Sequence, residues 1–347
     1  MEGALRVGLI GFGLAGRVFH APLLAANPRF RIAAIVTAND ERKAEARQRH
    51  PGADVWSRAG TLWKHADELD LVVIAAPPTA HIPLARAAIE AGVPAIVDKP
   101  LCAAAADAAE LVGAAAAADV PLTVFQNRRW DSDFLTLSRI AAAGELGEIK
   151  TFESRFERLK PLGANAEKPW RALPPAEAGG VVYDLGSHLV DQAIQLMGPV
   201  IEVYAEVVSL AGTAAPDDGY LELTHAGGAR SKLWTSLVAP QPGPRFRVLG
   251  SEGTFVSWGL DVQESQLASG MRPDHPDYGL MPQHHWPVVG VGASVAPLEP
   301  DRGDYPAFYA GVADALASGA AMPVDPRDSV EVVRVLEEAH RGFAVTR

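Results

Sequence analysis

The chain has a single cysteine, a shortage of positive charge and no long apolar run, and each of these absences closes off a class of function. Cys102 alone cannot form an intrachain disulfide or a multi-cysteine metal site. It lies in no activating pattern and reads as a small packed side chain. With 31 Lys and Arg against 42 Asp and Glu, the net charge is -11. That balance argues against nucleic acid or an anionic membrane as partner, since both demand a basic surface. No apolar run approaches the ~20 residues of a membrane span. The start of the chain, with Glu2, lacks a basic-then-apolar leader pattern, so the cytoplasm is the expected compartment.

What the chain does have is length and well-placed glycine. Its 347 residues exceed what one typical core supports, so two domains are expected. The apolar strand Leu5 to Ile10 runs straight into Gly11-Phe12-Gly13-Leu14-Ala15-Gly16 and then into a helical segment. A tight turn, a close backbone approach to a pyrophosphate and a helix N-terminus that attracts it must follow in that order. A dinucleotide site is the first expectation.

Further short apolar runs, at 31–36, 71–75, 95–97 and 122–125, alternate with helical stretches at 15–25, 41–48, 80–91 and 103–118. Their near-continuous apolar character suits a parallel sheet covered on both faces. After Gln126 the pattern changes. Helices at 131–143 and 183–197 accompany strands at 149–157, 201–209, 219–224, 232–238, 246–249 and 254–258. Several alternate apolar with polar, as in Leu221-Glu222-Leu223-Thr224, which fits an antiparallel sheet with one face covered. The expected fold is α/β followed by α+β, with domains at 1–125 and 126–347. Residues 271–304 read as loop, and two helices, 305–317 and 327–344, close the chain.

Ligands of open α/β sheets bind beyond the carboxyl ends of the strands. Candidate cofactor contacts are therefore Gly11, Gly13, Leu14, Ala15 and Gly16, then Thr37, Ala38, Asn39 and Arg42 after the second strand. Pro77 and His81 follow the run at 71–75, and Lys99 and Pro100 the run at 95–97. No acid ends the second strand, which removes repulsion toward a 2'-phosphate, and Arg42 or Lys43 could neutralise one. Thr79 can cap the helix that follows it. Lys99 emerges from a buried strand and can stabilise negative charge on a substrate oxygen. In the second domain, Asp184 and His188 lie at i, i+4 on one helix face, where a carboxylate can orient an imidazole. Asp191 lies three further on. His275, His284 and His285, with Asp274 and Asp277, have irregular spacing, and no metal is expected.

Three separated motifs, Gly11 to Gly16, Asp98-Lys99-Pro100 and Asp184 to His188 to Asp191, resemble the glucose-fructose oxidoreductase, inositol dehydrogenase and MocA family over nearly the whole chain. That resemblance implies a Rossmann domain, an α+β domain on a large open sheet, a Lys-Pro peptide that is often cis, and NAD(P). It implies a catalytic group of Lys99, Asp184 and His188, with His188 the acid/base and Lys99 a polariser linked to Asp184. Phe19-His20-Ala21-Pro22, the run from Asn127 to Thr136 and Trp170-Arg171 are similar to the NADP-dependent scyllo-inositol dehydrogenase subgroup. Where that subgroup tends to offer Ser-Arg for the 2'-phosphate, this chain has Ala38-Asn39. Pro78 stands where the family often has a polar residue.

The expected activity is hydride transfer between a nicotinamide, with a lean toward NADP, and a ring carbon of a cyclitol or sugar. Asn127, Arg129, Trp130, Arg171, Asp184 and His188 are the candidate substrate contacts. Two alternatives stay open: a reductase of a small aldehyde or imine, with Arg129 and Arg171 confined to structural ion pairs, and a dinucleotide-sensing regulator without turnover. A homo-oligomer, dimer or tetramer, through the C-terminal sheet is also implied.

Overall fold

The apolar runs of the first third are strands, and they pair in parallel. The computed structural model describes residues 3–160 and 169–343. Its first sheet comprises β1 (Leu5–Ile10), β2 (Phe30–Val36), β3 (Asp54–Trp56), β4 (Leu71–Ile74), β5 (Ala95–Val97) and β6 (Leu122–Val124). Their spatial order is β3-β2-β1-β4-β5-β6, all neighbours parallel. Every residue of β4 and β5 is buried, as strands covered by helices on both faces must be. The edge strand β3 went unforeseen because Asp-Val-Trp is too short and too exposed to register as a run. The order reverses between β1 and β4, which places a switch-point crevice at their carboxyl ends.

The chain divides into two compact units, and the division is not a single cut near residue 125. The first unit runs to Gln126 and also takes in Glu264–Tyr278 and Tyr305–Val330. The second holds Asn127–Gln263, Gly279–Asp304 and the chain from Glu331. Aromatic packing explains the return. The helix Tyr305–Ser318 buries Tyr305, Phe308, Tyr309 and Val312 completely. Phe308 meets Phe125 edge-on at 4.9 Å, and Tyr309 meets Phe30 at 5.6 Å.

The second unit is built on eight strands: β7 (Ile149–Glu157), β8 (Val200–Val208), β9 (Asp218–His225), β10 (Arg230–Ser236), β11 (Phe246–Gly250), β12 (Thr254–Ser257), β13 (Val288–Val291) and β14 (Ser294–Pro297). They lie in the order β14-β13-β12-β11-β7-β10-β9-β8, antiparallel throughout except for the pair β7 and β10. Alternation decides the two faces. Leu221, Leu223 and Leu233 point into the core, whereas Tyr220, Glu222 and Trp234 point away. The helix Ser187–Met197 packs on β7 and β10 over the inward face. β13 and β14 lie inside the stretch expected to be loop, where four-residue strands among prolines give no readable period. The last helix ends at Ala339, and position 344 of the expected helix lies outside the described residues. No helix among the described residues is long and apolar enough to cross a membrane.

Candidate active site

In the first unit the glycine loop leaves β1 and turns under the ends of β2 and β4. Gly11 donates its N–H to Val36 O at 2.9 Å and holds φ at +99°. A Cβ there would lie 2.3 Å from Ala75 O, and one on Gly16 would lie 2.0 Å from Gly11 O. Both glycines are demanded by adjoining backbone, Gly11 by the end of β4 and Gly16 by the loop itself. Gly13 is different: among the described residues the only atom within 4 Å of its missing Cβ is Arg42 Nη1, at 3.6 Å. Internal packing would admit a side chain here, so the bare position fits the close approach of a dinucleotide pyrophosphate. Leu14 precedes a π-wound turn, Ala15–His20, that continues as the helix Ala21–Ala26.

After β2, Thr37 is buried and Ala38 exposed. The Asn39 side chain accepts the Arg42 N–H at 2.9 Å and so caps the helix Asp40–Arg49. Lys43, the alternative cation, is paired with Asp40 at 2.9 Å. The Arg42 guanidinium has no acidic partner among the described residues and remains turned toward Gly13.

After β4, Pro77 is exposed, and the helix His81–Glu90 is capped by Ala80 with no side-chain bond, so Thr79 does not act as its cap. His81 is 1 % exposed, with Nδ1 2.9 Å from Pro100 O and Nε2 2.8 Å from Ala76 O. Its ring faces backbone rather than the crevice. After β5, the Lys99 N–H is donated to Asp98 Oδ1 at 2.9 Å, Lys99 is half-buried, and the Lys99–Pro100 peptide is cis.

In the second unit, Gly179 admits the neighbouring chain that carries Arg171. A Cβ on Gly179 would sit 1.8 Å from Leu173 O, and the Gly180 N–H is donated to Arg171 O at 2.9 Å. This stitch brings Arg171 Nη2 onto Asp184 Oδ2, with Arg158 Nη2 3.9 Å from the same oxygen. Asp184 lies in a π-wound turn, Val182–Gly186, that leads into the helix Ser187–Met197. Such turns recur at functional sites. Asp184, His188 and Asp191 are all buried, and Arg129 closes on Asp191 with two bonds, of 2.9 and 2.6 Å. Both candidate substrate arginines are thus tied to the acids of the helix. Asn127 is buried and Trp130 half-buried, its carbonyl accepting from Asp304 N and Gln263 Nε2, each at 3.0 Å.

Several neighbours of His188 went unrecognised in the sequence. The Phe156 ring lies parallel to the imidazole with centroids 6.4 Å apart, and the Arg128 and Arg158 guanidinium groups lie 4.8 and 5.5 Å from that phenyl. Gln192 donates to Arg128 O at 2.8 Å and accepts from Arg245 at 2.7 Å, while Arg245 also reaches Ser154 Oγ at 2.6 Å. The signal was the period of two along β7: residues 152, 154, 156 and 158 all fall on the inward face.

Beside this region, burial and the nearby Asp131 push the Asp261 carboxyl up to about 8. Burial likewise takes Asp133 to about 6, against the pull of Arg245. Of the histidine-rich loop, His275 lies 3.9 Å from Asp277 and the His284 and His285 rings meet edge-on. No group of three or more metal-ligating side chains gathers among the described residues.

A parallel sheet with a glycine loop at its switch point, joined to a unit with a buried Asp-His helix, defines an NAD(P)-dependent oxidoreductase. Residues 5–126 match the oxidoreductase family with NAD-binding Rossmann fold, and residues 134–256 match the GFO/IDH/MocA C-terminal domain. The chain belongs to the GFO/IDH/MocA oxidoreductase family. It is 37% identical over 339 residues to the uncharacterized oxidoreductase YdgJ of Escherichia coli (strain K12), covering 97% of this chain and 96% of that one. It is 32% identical over 340 residues to the NADP(+) scyllo-inositol 2-dehydrogenase IolW of Bacillus subtilis (strain 168), covering 96% and 92%. A crystal structure of an oxidoreductase from Bacillus cereus superposes with a TM-score of 0.86 at 27% identity, covering 99% and 97%.

Proposed function

We propose that the enzyme oxidises a secondary alcohol of a cyclitol or sugar, or reduces the corresponding ketone, with NADP preferred over NAD. The observation that carries the substrate class is the buried polar shell around His188. Asp184, Asp191, Arg129 and Arg171 are held by mutual ion pairs beside it. An arginine has five N–H donors and a carboxylate about four acceptor positions, so a pair of this kind positions its partners without exhausting them. Hydroxyl-rich rings require many directional partners of this type. The name of IolW supports the same class.

When bound, the nicotinamide supplies the hydride acceptor or donor. His188 takes the alcohol proton in the oxidative direction and returns it in reduction. The Lys99 ammonium stabilises negative charge on the substrate oxygen. Asp184, balanced by Arg171, holds the polar end of the helix turn from which His188 projects. Leu14, Ala15 and the bare Gly13 would hold the pyrophosphate through backbone N–H donors, and Arg42 would neutralise a 2'-phosphate. The enzyme acts in the cytoplasm as a homo-oligomer. Its contact is the outward face of the second sheet, where Ile201 and Tyr204 are exposed and Arg155 stacks 3.8 Å over Trp234.

The deciding experiment is a panel of cyclitols, pyranoses, their singly deoxygenated forms and open-chain aldehydes, assayed with both cofactors. Each buried partner left unmatched costs about 1–3 kcal/mol, so deoxy analogues should lose roughly one to two decades of kcat/KM. Equal kcat/KM for parent and deoxy forms, or activity confined to aldehydes, overturns the assignment.

A further inference from the structure

His81 makes two contacts that one neutral imidazole cannot satisfy. Its ring is buried, and both nitrogens lie within 3 Å of backbone carbonyl oxygens, those of Ala76 and Pro100. Carbonyls only accept, and neutral imidazole has a single N–H, so one lone pair would point at an oxygen. The doubly protonated ring donates to both. The two carbonyls belong to different loops: Ala76 follows β4, and Pro100 ends the Asp98-Lys99-Pro100 segment after β5. We infer that His81 is a positioning residue, an internal imidazolium strut that ties these loops together and so holds the peptide from which Lys99 projects.

The surroundings supply the counter-charge. Burial draws His81 below its ordinary pKa, which favours the neutral ring, while Asp98 and the Ala76 and Pro100 carbonyls pull the other way. Because two acceptors at hydrogen-bond distance leave no donor for a bare ring nitrogen, the paired carbonyls decide for the charged ring. The other groups in the cluster stay neutral. Burial takes His20 down to about 4, with the His81 charge acting in the same direction. His20 Nδ1 is 2.7 Å from the Tyr309 hydroxyl, and its Nε2 lies 4.0 Å from Asp98 Oδ1. Burial and Asp98 hold the Tyr309 phenol well above its usual range. Asp98 therefore has one cationic imidazole to balance, and its own Oδ1 accepts the Lys99 N–H. The strut thus meets the segment at Pro100, and Asp98 takes the Lys99 N–H on the other side.

This inference rests on the role proposed for Lys99, and the test separates the two. In the intact enzyme, ¹⁵N-¹H spectra of the histidine rings should show both His81 nitrogens protonated at neutral pH, with slowly exchanging protons. A single protonated nitrogen overturns the strut whatever Lys99 does. His81→Gln, which keeps one donor end, should lower kcat about tenfold or more. The dissociation constant for the dinucleotide should stay within about twofold, because the substitution alters only the orientation of Lys99. Combined with Lys99→Ala, it should add no further loss, since the two residues act as one unit. Multiplying losses, or wild-type kcat per folded molecule in His81→Gln, overturns the positioning role. Wild-type turnover in Lys99→Ala alone overturns the proposed mechanism and the aiming role with it, while the ring spectra still judge the strut.

Discussion

Arg129 grips Asp191 through Nε and Nη2 onto separate carboxylate oxygens, at 2.9 and 2.6 Å, with the Asp191 side chain only 2 % exposed. This pair ties the segment after β6 to the third turn-position of the His188 face. Geometry of this quality makes each partner depend on the other, since removing either strips a buried charge of this two-bond counter-ion. Asp191→Ala should therefore destabilise the fold by about 3–5 kcal/mol. The double variant Arg129→Met, Asp191→Leu should recover most of that loss. Urea unfolding of the two variants and wild type reads both numbers, and equal midpoints for Asp191→Ala and wild type would show the pair to be inconsequential.

His188→Ala should lower kcat by on the order of 10² to 10⁴ and leave dinucleotide affinity nearly unchanged, as removal of an acid/base group does. Lys99→Ala should behave in the same way. Steady-state rates and a cofactor titration check each variant, and turnover near wild type removes that residue from the mechanism.

Arg42 lies against Gly13 with no acidic partner among the described residues, whereas Lys43 is engaged by Asp40. Arg42→Ala should weaken NADP binding about tenfold, or about 1.4 kcal/mol, and change NAD binding by less than about twofold. Lys43→Ala should leave both nearly as they are. Calorimetric titration with each dinucleotide decides it, and equal weakening of both would move the 2'-phosphate elsewhere.

The buried acids predict a pH dependence of stability. Asp261 rises on folding from an ordinary carboxyl pKa to about 8, so between those values the folded state holds a proton that the unfolded state has lost. Stability then falls as pH rises, with a slope of at most about 1.4 kcal/mol per pH unit from this group. His20, depressed to about 4, has the opposite sign and offsets that slope below its ordinary value of 6.5. Above 6.5 the Asp261 slope stands without that offset. The stability difference between Asp261→Asn and wild type should accordingly shift in favour of the variant from pH 6.5 to 8. Urea midpoints across that range test it, and parallel curves would refute the shifted carboxyl.

Periodicity and local order were legible without coordinates. Gly11 to Gly16 between an apolar strand and a helix, the period of two along β9, and the i, i+4, i+7 spacing of Asp184, His188 and Asp191 are properties of neighbouring residues. They determined the two fold classes, the family resemblance and one face of the site. Tertiary structure alone decided which charges meet. Arg171 reaches Asp184 because Gly179 admits the 171–173 segment, Arg129 reaches Asp191 across 62 positions, and Phe308 and Tyr309 return a distant helix to the first unit. His81, read in the sequence as a cofactor contact, turns both ring nitrogens onto carbonyls brought together by two separate strands. Covalent neighbours set a pattern through the geometry of one helix or strand. Partners far apart in the chain are selected by close packing and by the cost of leaving a buried charge or donor unmatched, and neither is written in any local stretch of sequence.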